Sequence, residues 1–445
     1  MNRREALKLV AAGTVTTTAT SAATTADTRT CALDLPAPLH GPRMNFAQAA
    51  KVMSELELDA LVLGVGCNVQ HATGLRPVIS RMGFPPVAFA VVSLDPEQPV
   101  TIVAPTFTYY YTLSDVHADS TVPAFVYGTP RDEDPAALTM FDDRGEAPVD
   151  ALEKRRVAAT LDAFQDGGRH RTASAALRAA LAGLASGRCR IAVDHTRAEM
   201  LVAEAAPDAV VIDADDPLRR IRPVKSAIEI ELMRHASAGN IAAAHEALEI
   251  ARDGASYRHL RAAFFAAAAR RGQRGVFMVV DRSSDEQFDA PFRDGQAFLI
   301  DCVSEYQGYH GDYGRTVFVG EPRASMKKAT RAIADAWDLV REQLRPGLRF
   351  SEIEAMGQRA LKQSGRRYRV PFRPHSVGLY HTDHVGTSGL AEPVDVVLEP
   401  GMIVSVDCPL LESGVGGSAH LEDLMLVTAD GSVPIHATGE PVITV

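Results

Sequence analysis

No apolar run of the roughly 18 residues that a membrane-spanning helix requires occurs in this 445-residue chain. Cysteine is scarce: Cys31, Cys67, Cys189, Cys302 and Cys408 form no CxxC pair, which excludes a zinc ribbon or a thioredoxin-like motif. An odd count also leaves at least one thiol free even where disulfides form. There is no basic excess. Lysine and arginine total 46 against 56 aspartates and glutamates, and the net charge of −10 with no basic stripe among aromatics argues against a nucleic-acid surface. No internal repeat of about 20–50 residues is visible. What is present is ordinary globular composition, 46% apolar and 23% charged, in a chain long enough for two domains.

The amino terminus carries a pattern of its own. Asn2-Arg3-Arg4-Glu5-Ala6-Leu7-Lys8 is followed, to about Ala26, by a weakly hydrophobic stretch of mostly Ala, Thr, Val and Gly without an acid. It resembles a twin-arginine (Tat) export signal. Residues 1–26 are therefore expected to be a signal peptide handled by the Tat export machinery, with the mature protein periplasmic or secreted. Residues 27–43, with Pro36, Pro38 and Pro42, read as a linker.

From Met44 a helical pattern leads into the buried-strand run Ala60–Val65, and further strands are expected at 87–93 and 100–105. Residues 128–150 are acidic and proline-rich, an expected surface loop. A helix is expected at 172–186 and a strand at 190–194. Across 44–215 the groups Cys67, His71, His117, His170 and His195 are scattered, so each is expected to be structural or exposed. Composition shifts at Asp213–Pro217, which places a domain boundary there: 44–215, then 216–445. Ser226 and Glu229 have capping-box spacing ahead of a long helix, and a second helix follows over 257–271. Helices are also expected at 324–344 and 351–364.

The chemistry is concentrated in the second half. Asp301 interrupts the apolar run Phe298-Leu299-Ile300-Cys302-Val303, and Asp312 follows beyond the turn material Tyr306-Gln307-Gly308. Two acids on the arms of one hairpin can face one point, and a buried carboxylate requires a partner or an ion. For Asp312 the competing expectation is a salt bridge to Arg315. Further on, His375 lies in a Pro- and Gly-punctuated segment, while Asp407 and Glu422 stand in the runs Gly401–Pro409 and Ala419–Val427. Oxygen ligands with a histidine suit a divalent metal. Cys302 and Cys408 each follow a candidate ligand and should point into the core.

Taken together, these segments resemble the pita-bread metallopeptidases, which include methionine aminopeptidase, aminopeptidase P and prolidase, with creatinase as a metal-free relative. HGDYGRT, HSVGL and LEDLMLVTADG are similar to family motifs, and Arg222-Pro223-Val224-Lys225-Ser226 and Asn68–Gly74 are similar to the helix entry and the amino-terminal domain of the prolidase branch. The resemblance implies an α+β fold, a creatinase-type amino-terminal domain before a pita-bread catalytic domain. It implies the ligands Asp301, Asp312, His375, Asp407 and Glu422 for two divalent metal ions. Manganese is expected, with Co(II), Fe(II) or Zn(II) as alternatives. It implies a hydrolase acting on short peptides of Xaa-Pro type, and a homodimer.

Four positions depart from the family pattern. Asp407 stands where the family has Glu, no histidine occurs in 281–296, Thr382 replaces a histidine seven positions after His375, and His420 replaces an arginine two positions before Glu422. His381, His384 and His420 are the candidates to stabilise an oxyanion or protonate a leaving amine, with Asp407 as a proton shuttle. The same departures support a second reading, an enzyme of this fold on a small non-peptide substrate, creatinase-like or lyase-like.

Overall fold

The computed structural model describes residues 37–445 apart from 114–121, 129–149, 167–168, 185–188, 253, 364, 366–367 and 387–393. The expected signal peptide, His117 and nearly all of the acidic loop lie outside the described residues.

The first half is an α/β unit. Strands β1 (Ala60–Leu63), β2 (Phe89–Ser93), β3 (Val100–Pro105), β4 (Ala124–Tyr127), β5 (Arg169–His170), β6 (Arg190–Val193) and β7 (Val210–Asp213) form a sheet in the order β5-β4-β3-β2-β1-β6-β7. Its central strands are buried along their whole length because both faces are covered. Helices Phe46–Glu55 and Gly66–Thr73 help to cover one face, and Ala173–Ala180 and Thr196–Ala205 the other. The helix expected over 172–186 is thus shorter, ending at Ala180. Helix Asp215–Ile221 packs Leu218 and Ile221 into the first core, so that core runs past the composition shift at 213–217.

The second half has two sheets, each backed by a pair of helices. Strands β8 (Arg274–Val280), β9 (Ala297–Tyr306), β10 (Tyr309–Phe318) and β15 (Val442–Thr444) form one, in the order β15-β10-β9-β8. Helices Ala227–Leu248 and Tyr257–Arg270 bury their apolar residues against its outer face. Strands β11 (Arg373–Ser376), β12 (Ile403–Asp407), β13 (Met425–Val427) and β14 (Ser432–Pro434) form the other, backed by Ala324–Arg341 and Phe350–Gln363. Cys302 and Cys408 sit in these two cores, as their position one residue past a site residue requires. Cys67, Cys189, Cys302 and Cys408 are all free thiols.

Local chemistry accounts for how the elements are placed. Gln307 and Gly308 both have positive φ, 50° and 90°, as a two-residue type I′ hairpin turn demands. Arg43, at the end of the expected linker, clamps this turn: its guanidinium donates to the Gln307 carbonyl and to Gln307 Oε1, each at 2.7 Å. The capping box forms as its spacing predicts, with the Ser226 and Glu229 side chains bonded to each other's backbone N–H groups. Glu229 is also a buried hub, 3.1 Å from the Tyr309 hydroxyl and 3.2 Å from His71 Nε2 of the first half.

A second buried link is ionic. Arg222 Nε lies 2.8 Å from Asp383 Oδ1, and its Nη1 donates to Asn68 Oδ1 at 3.0 Å. This ties the first half to the loop after β11 that carries His381. Removing one partner strands a buried charge, so Asp383→Ala should lower stability by about 3–5 kcal/mol, measured as the shift of the urea unfolding midpoint. A shift within about 0.5 kcal/mol, the range of an ordinary surface substitution, would contradict a structural role for the pair.

Candidate metal centre

Register decides which side chains meet. On the β9–β10 hairpin Asp301 lies opposite Gly314, and Asp312 lies opposite Val303. Opposed residues and residues two apart share a face, so both carboxylates project from the inner face of this sheet. The other sheet brings His375 on β11, next to Ser405 on β12, with Asp407 at the end of β12. Glu422 belongs to no strand; it bridges to Gly314 through an isolated backbone pairing, with its N–H donating to the Gly314 carbonyl at 3.1 Å. The strand expected around Glu422 begins only at Met425.

The result is two overlapping groups of ligand atoms. One atom each from Asp312, His375, His381 and Glu422 lie within 4.8 Å of one another, and so do atoms of Asp301, His420 and Glu422. Glu422, fully buried, is common to both. His375 Nε2 is 3.3 Å from Glu422 Oε1, 3.3 Å from Asp407 Oδ1 and 3.7 Å from Asp312 Oδ2. His381 Nε2 is 3.4 Å from Asp312 Oδ2, and His420 Nε2 is 3.1 Å from Glu422 Oε2.

Several of these atoms have nothing to bond to. Asp301 Oδ1, both carboxylate oxygens of Asp312, His381 Nε2 and His420 Nδ1 are buried without a hydrogen-bond partner. Leaving such groups unsatisfied is costly, and a divalent cation serves carboxylate oxygens and neutral imidazole nitrogens together. The residues present therefore fit divalent metal.

The protonation of the metal-free cluster reflects crowded charge. Burial pushes the Asp301 carboxyl well up, and Glu422 and Asp312 push it further. Burial likewise raises Asp407, reinforced by Glu422. For Asp312 burial opposes ionisation, yet His381 and His375 outweigh it and hold the group below the usual range. Burial and Asp312 oppose ionisation of Glu422 too, and bonds from His375 and His420 bring it to about 2. Burial should lower the histidines, but the carboxylates prevail: His375 lies well above its ordinary range, and His381 and His420 rise to about 9.

Of the expected ligands, Asp301, Asp312, His375 and Glu422 fall in the two groups. Asp407 touches His375 but completes neither group, and its side chain keeps 29% exposure. With one methylene fewer than glutamate it stays at the rim. Of the expected proton-handling histidines, His381 and His420 meet the carboxylates. His384 belongs to neither group; its Nδ1 accepts from the Ser376 N–H at 3.3 Å and its ring edge rests on Phe350, while burial and His375 lower it to about 4. Arg315 does not pair with Asp312. It binds Asp423 at 2.6 Å and the Glu422 carbonyl, which fixes the backbone on either side of the Glu422 side chain.

Sequence reasoning missed Ser405, whose hydroxyl donates to Glu422 Oε1 at 2.5 Å. Its place two residues before Asp407 was the available signal. It also missed Gly314. A Cβ there would stand 2.2 Å from His420 Cδ2 and 2.9 Å from Glu422 Cβ, so only glycine admits the His420 ring beside Asp301.

Two outcomes follow from this geometry. Gly314→Ala should displace His420 and reduce bound metal by about tenfold or more, read by elemental analysis of purified protein; unchanged stoichiometry and affinity would refute the cradle. The second concerns pH. Histidines held near 9 in the metal-free protein, against 6.5 ordinarily, contribute stability that is complete below about 6.5 and is lost as pH rises through 9. Metal requires neutral rings, and His375, held well above its ordinary range, adds to the release, so binding tightens over that window and should expel at least two protons at pH 7. Calorimetry in buffers of different ionisation heat measures the release, and none would mean that these rings do not bind metal.

Residues 231–429 match the model of metallopeptidase family M24. The probable dipeptidase PepE of Mycobacterium tuberculosis is 28% identical over 256 residues, which span 55% of this chain and 67% of that protein. The Xaa-Pro dipeptidase of Pyrococcus horikoshii is 25% identical over 238 residues, 52% of this chain and 67% of its own. Among solved structures, the prolidase from Pyrococcus horikoshii aligns with a TM-score of 0.62 at 17% identity, covering 89% of this chain and 99% of that one. Dipeptidase PepE from Mycobacterium ulcerans aligns at 0.57 and 18%, covering 90% and 97%. The residues that carry the candidate centre thus lie in the segment that matches the model of metallopeptidase family M24, within a chain whose fold is that of the prolidases.

Proposed function

We propose that the protein is a metal-dependent peptidase that cleaves the amino-terminal bond of short peptides, of the Xaa-Pro dipeptidase or aminopeptidase type. The observation that carries this reading is the set of buried, unpartnered carboxylate oxygens and imidazole nitrogens shared around Glu422. Asp301, Asp312, His375, His420 and Glu422 would hold the ions. When bound, divalent metal supplies the Lewis acidity that polarises a carbonyl and acidifies a water. His420 is fully buried and fixed between Gly314 and Glu422, which suits holding rather than proton exchange. His381 is different. Its side chain keeps 28% exposure, and its Nε2 faces Asp312. That atom is placed to donate to a developing oxyanion or to the leaving amine. Asp407, also partly open and in contact with His375, can pass a proton between the centre and solvent.

Oxygen-rich ligation with a single histidine left Mn(II), Co(II), Fe(II) and Zn(II) open, with manganese expected for loading before export; the residues at the centre bear on that choice. With two imidazoles, His375 and His420, among the groups that would hold the ions, where the sequence reading expected one, Zn(II), Co(II) or Fe(II) are better suited than Mn(II), because nitrogen ligands favour the later metals. The twin-arginine leader in residues 1–26 supports export by the Tat machinery to a periplasmic or secreted location, and a homodimer is part of the same reading.

Metal-reconstituted protein should release the amino-terminal residue from Xaa-Pro peptides and leave creatine intact. Asp312→Asn should lower kcat/KM by about 100-fold or more together with metal content. Turnover of creatine without any peptide cleavage would instead favour the small-molecule reading. Highest activity with Mn(II) over Zn(II), Co(II) and Fe(II) would overturn the metal assignment.

A further inference from the structure

His310 is buried beside the metal centre yet belongs to neither group of ligand atoms. It lies on β10 two residues before Asp312, so both side chains leave the inner face of the sheet. Its ring serves the backbone of the loop after β11 instead. His310 Nδ1 lies 3.0 Å from the Gly378 carbonyl oxygen, and the His310 backbone N–H donates to the same oxygen at 2.9 Å. A carbonyl can only accept, so this ring nitrogen carries the proton. Any residue except proline could supply the backbone donor. The ring supplies a second, and two donors from one residue fix the oxygen in direction as well as in distance.

Gly378 is confined on its other side too. A Cβ there would stand 2.6 Å from Lys225 Nζ and 3.4 Å from Asp383 Oδ2. Lys225 is buried and anchored, its Nζ donating to the Arg222 carbonyl at 2.5 Å and its N–H to the Gly401 carbonyl at 2.9 Å. The loop is pinned again at Asp383, whose N–H donates to the Ser376 carbonyl at 2.9 Å and whose carboxylate holds Arg222. His381 stands between these two pins. Its contact with Asp312 therefore closes a circuit: from Asp312 along β10 to His310, across to Gly378, and through Leu379 and Tyr380 to His381. His375 adds a bond from its Nδ1 to the His381 carbonyl at 3.1 Å, but is itself held in β11 by pairing with β12. Loss of the His310 ring donor thus loosens the loop that carries His381 and leaves the strands that carry the metal ligands in place.

We propose that His310 is a positioning residue for His381: its ring N–H sets the Gly378 carbonyl and thereby aims the His381 imidazole at the reacting group on the Asp312 side of the centre. The inference rests on the peptidase reading above, in which His381 donates to the oxyanion or to the leaving amine. It assigns the alignment of that donor to a side chain outside the ligand set.

The test assays metal-loaded full-length protein on Ala-Pro with His310→Leu, His310→Ala and His310→Asn. Leucine fills the space of the ring without a donor, alanine removes both, and the asparagine amide nitrogen takes the place of Nδ1. The leucine and alanine substitutions should lower kcat by about 10- to 100-fold, the cost of a misplaced catalytic group, with KM and bound metal within about twofold of wild type. Asparagine should recover most of the loss. In a His381→Ala background the same substitutions should have no further effect, because the group they position is gone. An equal loss with and without His381, a loss of metal alongside kcat, or an asparagine variant no better than leucine would overturn the proposal. A wild type that cleaves no peptide would overturn the peptidase reading instead. The positioning is then read in metal-free protein by proton–nitrogen NMR of the imidazoles, where His310→Leu should shift the His381 ring signals and His310→Asn should restore them. Unmoved His381 signals in the leucine variant would refute the positioning by itself.

Discussion

Three carboxylates gathered around one point, Asp312 and Glu422 fully buried and Asp301 with its Oδ1 buried, are the constraint on which the structure of the second half depends. Like charges in a low-dielectric interior repel strongly, and oxygens without donors add a desolvation cost. The protein meets this in part by importing imidazoles. His375, His381 and His420 arrive from three different places in the fold, and in the absence of metal each is held protonated by the carboxylates it faces. The orphaned oxygens of Asp312 show that this compensation is incomplete, and a divalent cation would complete it.

The surroundings of the centre keep that arrangement from relaxing. Ser405 binds one oxygen of Glu422 and His420 the other. Arg315 ties the adjacent backbone and Asp423, whose second oxygen accepts from the Trp337 indole. Gly314 leaves the space in which the His420 ring lies. The loop bearing His381 is held by the buried Arg222–Asp383 pair, so a contact between the halves of the chain governs a histidine at the centre. Buried pairs of this kind add little net stability against an apolar equivalent. Here the pair fixes position.

The amino-terminal half contributes to the site as well as to the fold. Arg43 clamps the tip of the hairpin whose arms bear Asp301 and Asp312, and His71 meets the capping glutamate of the long helix behind it. Arg76 and Arg81 extend the same contact surface toward the inner face of the sheet, where they meet Glu305, two residues along β9 from Val303, the residue opposite Asp312.

Much of this was legible from the chain alone. The hairpin was marked by two acids at fixed distance across Gln307-Gly308, the long helix by its capping box, and the convergence of Asp301, Asp312 and Glu422 by acids standing where strand pattern expects hydrophobes. These are local signals, carried by spacing and period. The sequence also exposed what had changed relative to the family, at Asp407, Thr382 and His420. What it did not determine is which histidine fills which role. His381 and His384 are three residues apart in a loop without a repeating period, so spacing assigns them no direction, and only the packing of that loop turns His381 to Asp312 and His384 to Phe350. Nor does the sequence bring Arg76, Arg81 and Arg274 to one carboxylate, that of Glu305. Sheet register, and the docking of one half on the other, decide that convergence, because contacts between residues so distant in the chain exist only once the tertiary structure has formed.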